Sequence, residues 1–204
     1  MELREALSQI TQIRAQMART ETFRGYRSGT VGFSGLLGVA GAAAQAVWIP
    51  EPLADVRGYL TLWAGVAAVC VVVWGAEMAL RCRRATLSLT RQTTLLAVEQ
   101  FSPCLAAGGL LTVAIVTRAA DSVWMLPGLW AVLFSLGVFA SFRLLPKPVI
   151  WVAAYYLAAG LAALVLAQGD AALSPWAMAG TFGVGQLLAA AVLYFTLERT
   201  DAEG

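Results

Sequence analysis

Histidine is missing from this chain altogether. Its absence removes the commonest metal ligand and the side chain most often used as a general base near neutral pH. Haem held by histidine, zinc sites of the histidine type and Ser-His-Asp triads are excluded with it. Cysteine is scarce: only Cys70, Cys82 and Cys104 occur, and no CxxC spacing, so neither a thioredoxin-like site nor a zinc ribbon is indicated. Cys70 and Cys104 sit in apolar runs. Cys82, among Arg81, Arg83 and Arg84, reads as a tolerated thiol in a reducing compartment. Walker, Rossmann, HExxH and GxSxG signatures are also absent.

Charge is the next scarcity. Only 13% of the 204 residues are charged and 59% are hydrophobic, with a mean hydropathy of +0.72. A soluble domain carries roughly 25% charged residues. Lysine occurs once, at Lys147, among otherwise arginine cations. With abundant alanine, that bias is a compositional mark of GC-rich bacterial genomes.

What is present instead is length without charge. A bilayer core needs about 20 apolar helical residues. Six segments meet that need, at 28–48, 58–80, 102–119, 123–142, 148–167 and 175–197. The expected fold is an all-α integral membrane bundle of six transmembrane helices, arranged as three hairpins. Residues 1–27 precede it, 28–197 form it and 198–204 are a short tail. Prolines mark the breaks. Pro50 and Pro52 follow the first span, Pro146 and Pro148 separate the fourth from the fifth, and Ser174-Pro175 reads as an N-cap with proline at N1. Ser102-Pro103 reads the same way, which starts the third span there and leaves Glu99 and Gln100 at head-group level.

Basic residues give the orientation. Arg4, Arg14, Arg19, Arg24 and Arg27 precede span one, and Arg81, Arg83, Arg84 and Arg91 separate spans two and three. Arg143, Lys147 and Arg199 fall on the same side, and only Arg57 and Arg118 on the other. The positive-inside rule then puts both termini in the cytoplasm of a multi-pass protein of the bacterial inner (plasma) membrane. Trp48, Trp63, Trp124, Trp130 and Trp176 fall at outer span ends, as an aromatic belt would. The 27 residues before the first apolar run exceed a signal-peptide n-region, so the first span is expected to be retained.

Within residues 2–20, Leu3, Ala6, Ile10, Ile13 and Met17 step along one helical face. An amphipathic helix in the cytoplasm or flat on the inner leaflet is expected, in preference to a coiled-coil seam. Trp-Ala recurs near the outer end of spans two, four and six, at Trp63, Trp130 and Trp176, each after an aspartate: Asp55, Asp121 and Asp170. Interfacial tryptophan and a polar loop residue are expected at any outer end; a degenerate hairpin repeat is the alternative. Glycine recurs at Gly32, Gly35, Gly38 and Gly41 in span one and at Gly180, Gly183 and Gly185 in span six. Small residues let helix backbones approach closely in lipid. Gly38, Gly41, Gly180 and Gly183 are therefore packing candidates, joining spans one and six within a chain or across a dimer.

Polar groups at membrane depth are few. Glu77 lies four residues before Arg81, the favourable order for a helical ion pair. Glu77, Glu99 and Gln100 are the candidates for a cation or polar-ligand site. Gln186, in the middle of span six, is expected to bond across helices, with Tyr155 and Tyr156 as candidate partners; lining a central cavity as a further ligand- or ion-binding candidate is the alternative. No catalytic residue, metal site, cofactor or nucleic-acid partner is indicated, and the loops are too short for a catalytic domain. The expected partners are the lipid bilayer and either further copies of the chain or another membrane protein. The expected role is a non-enzymatic membrane module, with a small transporter or channel as the alternative.

Overall fold

The computed structural model describes residues 28–84, 88–142 and 145–198, and all its regular elements are helical. The amphipathic helix expected over 1–27 and nearly all of the tail lie outside those residues. Six helices are long and apolar enough to cross a membrane. They are α1 (Ser28–Trp48), α2 (Val56–Arg84), α3 (Ser88–Arg118), α4 (Leu126–Ala140, led in by the 3₁₀ turn Ala120–Met125), α5 (Val149–Leu166) and α6. Helix α6 opens at Pro175–Met178, widens into the π-helical turn Ala179–Val184, resumes as Gly185–Leu193 and ends in a second π segment, Tyr194–Glu198. Only helices and closed barrels satisfy every backbone group without water, so a chain of this composition has little other choice.

Local chemistry explains where the helices begin. Asp55 caps α2, its Oδ1 accepting from the Gly58 amide at 2.9 Å. Ser174 caps α6, its hydroxyl accepting from the Ala177 amide at 3.2 Å with Pro175 at N1. Ser102-Pro103 does not act as a start. Helix α3 runs unbroken through Pro103, which corrects the cap reading. Proline removes only one helical hydrogen bond, and a membrane helix tolerates that loss when neighbouring groups compensate.

The helices form a ring in chain order, α1 closing on α6. Packing is most extensive between α4 and α5 and between α1 and α6, across the boundaries of the expected hairpins. It is sparsest between α2 and α3. Burial follows the same division. Helices α1, α4 and α5 each bury a full face. Among the described side chains α2 buries only Tyr59 and Trp63, and α3 only Ile115.

Two glycine crossings set the inner spacing. A Cβ on Gly38 would lie 3.4 Å from the Gly183 backbone, and one on Gly183 would lie 2.9 Å from a Val39 methyl. In the α4–α5 pair a Cβ on Gly160 would meet the Gly128 carbonyl at 2.8 Å, and one on Gly128 would meet the Gly160 carbonyl at 2.9 Å. Contact this close gives dispersion, which in lipid replaces the hydrophobic effect as the force between helices. Buried Ser135 fastens the second crossing by donating to the Ala153 carbonyl at 2.8 Å. Gly160→Ala is expected to destabilise the fold by about 1–3 kcal/mol, because a backbone carbonyl cannot step aside. Gly75→Ala, where nothing lies within 4 Å, is expected to change stability by less than about 0.5 kcal/mol. Reversible unfolding in mixed micelles measures both.

Candidate functional site

Several polar groups of the interior lie along one seam, where α1 faces α2. Three levels pair in antiparallel order. At one end the Thr30 hydroxyl donates to the Glu77 carboxylate. One turn further along α1, Ser34 donates to the Thr30 carbonyl at 3.1 Å and is the hydrogen-bond partner of the Cys70 thiol. At the other end fully buried Gln45 accepts from the Trp63 indole at 2.8 Å and donates to the Leu173 carbonyl at 2.6 Å. Gln45 thereby ties α1 to α2 and to the turn before α6.

Between Ser34 and Gln45 the seam is closed by packing at Gly41, where a Cβ would sit 3.0 Å from Val66 and 3.4 Å from the Trp63 ring, while Gly38 faces α6 and lies against Gly183. Eleven residues of α1 separate the two polar ends, roughly 16 Å at 1.5 Å per residue. Nothing polar on α1 bridges that interval.

The bundle centre is aromatic. Tyr156 is fully buried, its ring 4.7 Å from Phe134 and 5.7 Å from Phe182, and Phe101 lies 5.1 Å beyond Phe134. Gly185 admits the phenol, since a Cβ there would lie 2.5 Å from its ring. Tyr155 donates its hydroxyl to the Gly180 carbonyl, within the π-helical turn. Neither tyrosine is bonded to Gln186, which is half-buried. This corrects the partnership expected for that amide: one hydroxyl is taken by a carbonyl and the other is held inside the aromatic cluster.

The remaining expected site residues are dispersed. Glu77 is half-buried and engaged by Thr30; its expected partner Arg81 has a side chain outside the described set. Glu99 is exposed near the start of the α3 span, and Gln100 is half-buried. These two lie on a helix that makes only sparse contact with α2. Gly41 packs on α2, whereas a Cβ on Gly180 would meet nothing within 4 Å.

Gln45 was passed over in the sequence because it sits in an alanine-rich stretch near a span end, where an amide looks unremarkable. Its one usable signal was Trp63. A buried indole N–H needs an acceptor, and both Trp63 and Trp130 find one 18 residues upstream, Trp130 donating to Thr112 at 2.9 Å. These two tryptophans therefore fasten helices together instead of facing lipid. Trp48 and Trp176 are exposed as a belt requires.

Six apolar helices of this kind are compatible with a polytopic α-helical membrane protein. No family model, curated protein or solved structure matches the chain. Gln45→Leu is expected to cost about 1–3 kcal/mol, because it leaves the Trp63 N–H and the Leu173 carbonyl unmet in a dry interior. Micellar unfolding reads the loss, and retention of wild-type stability would show that neither bond matters.

Proposed function

We propose that this protein is a non-enzymatic membrane module that associates with further copies of itself or with another membrane protein. The observation that carries the reading is the contrast between two sets of glycines. Gly35, Gly38 and Gly183 are engaged inside the chain, against Leu187, each other and Val39. Gly65 and Gly75 on α2 and Gly109 on α3 meet nothing within 4 Å. Large apolar side chains surround them, including exposed Val72, Leu105, Leu110 and Val113. Small residues on a lipid-facing helix are where a second helix can approach. The association surface is thus assigned to α2 and α3, and Gly35, Gly38 and Gly183 belong to the fold. The internally paired polar seam and its glycine-packed middle agree with a module that passes nothing across. The basic-residue bias supports the bacterial inner membrane, with both termini in the cytoplasm.

The test is native mass spectrometry of protein gently extracted from its own membrane. Gly109→Leu and Gly75→Leu are expected to lower the assembly mass while leaving the unfolding midpoint of the chain unchanged. An unaltered mass in both variants rejects α2 and α3 as the surface.

A second reading, a small transporter or channel for an ion or solute, rests on Glu77. A carboxylate within a candidate span commonly marks an ion or proton path, and here it is held by Thr30 from the neighbouring helix. The π-helical turn of α6 also resembles the irregularities found at functional sites. On this reading Glu77→Gln abolishes a proton or sodium flux into dye-loaded proteoliposomes without unfolding the protein. Equal flux in wild type and variant removes Glu77 from any path.

A further inference from the structure

The α3–α4 pair carries two buried side-chain oxygens without partners at a single level. Its antiparallel register follows from Trp130 on Thr112 and from Gly137, where a Cβ would lie 2.7 Å from the Phe101 ring and 3.2 Å from Cys104. One helical turn past Gly137 is Ser141, and one turn before Cys104 is Gln100, so the register sets these two opposite each other. Ser141 is only 2% exposed, and its hydroxyl has no hydrogen-bond partner among the described residues. The Gln100 Oε1 is also buried and also without a partner among them. Buried polar atoms in native proteins are nearly always satisfied, and no hydrogen bond joins these two, so their shared level calls for a bridging occupant.

The surroundings say what kind of occupant. Ser141 is the C-cap of α4, where the final carbonyls of a helix concentrate partial negative charge. Pro103 lies inside α3 and has no N–H, so the Glu99 carbonyl lacks its helical donor. The Glu99 carboxylate is exposed on the adjoining face. Each of these groups offers oxygen lone pairs or negative potential. Hard cations take such oxygens, and largely neutral ones suit a singly charged ion.

We infer that the α3–α4 groove binds one alkali-metal cation, sodium or potassium, through the Ser141 hydroxyl and the Gln100 side-chain oxygen. The negative end of α4 and the Glu99 carboxylate favour its entry. The bound ion fastens α3, which is otherwise little buried, to the inner helices. This site is independent of the proposed association surface, since Gly109 lies about two and a half turns along α3 from Gln100, on the opposite face, where a Cβ would meet nothing within 4 Å.

The experiment is thermal unfolding of the full chain in detergent, in sodium, potassium or choline chloride at one ionic strength. Sodium or potassium is expected to raise Tm saturably by about 2–4 °C over choline. Gln100→Leu and Ser141→Ala are expected to abolish that difference. Their Tm in choline should hold or rise, because each removes an unmet polar atom. Gln100→Glu, which keeps the oxygen, should retain the difference, as should Gly109→Leu on the other face of α3. Equal Tm in all three salts for the wild-type protein overturns the inference. A difference that survives in both Gln100→Leu and Ser141→Ala overturns it too.

Discussion

Close approach of backbones at two glycine crossings is the constraint on which the rest of this structure depends. Gly128 on Gly160 brings α4 to α5 at a distance that a side chain would forbid, and Gly38 on Gly183 brings the α1 and α6 backbones into direct contact. In lipid, apolar side chains gain nothing from leaving the solvent, so helices are held by contact and by the few polar bonds between them. The crossings create the contact. They also bring the inner helices near enough for Ser135 to reach the Ala153 carbonyl and for Tyr155 to reach that of Gly180.

The polar bonds then divide the labour. Gln45, Trp63 and the Leu173 carbonyl lock one end of the α1–α2 seam, and Thr30 with Glu77 locks the other. Between them lie the glycines. A hydrated path would need polar groups in that middle interval, and the chain has placed its smallest residues there. The carboxylate that looked most like a functional group therefore acts first as a structural acceptor. A buried charge without such a donor is costly.

The two outer helices stand apart from this logic. Helices α2 and α3 bury few residues, carry glycines that touch nothing, and meet each other only sparsely. The inner helices bury more of their surface against one another, whereas the outer pair leaves most of its surface to whatever surrounds it. Lipid satisfies an apolar face; the open glycines on it, Gly65, Gly75 and Gly109, are what the proposed association would use. On its inward side α3 is held to α4 by the Trp130–Thr112 hydrogen bond and by the packing of Phe101 and Cys104 against Gly137.

Much of the architecture was legible in the residues alone. Span number and approximate limits follow from apolar length, because the bilayer core imposes one dimension on every crossing. The Ser174-Pro175 start was legible because capping is local chemistry. The Ser102-Pro103 start misled, since the same dipeptide can lie inside a helix whose neighbours make good the lost bond. Gly38 and Gly183 were readable as small residues in glycine-rich stretches, but Gly160 stood alone in its span and Gly128 shared its span only with Gly137, nine residues on, without a repeating pattern. Only the tertiary structure decided which glycines face a neighbour and which face open space. It also decided that Trp63 points inward to Gln45, and that Tyr155 takes a carbonyl in place of Gln186. Periodicity gives a residue's angle around its own helix; the rotation and crossing of the neighbouring helices, which follow from the summed fit of all six surfaces, determine what that angle meets.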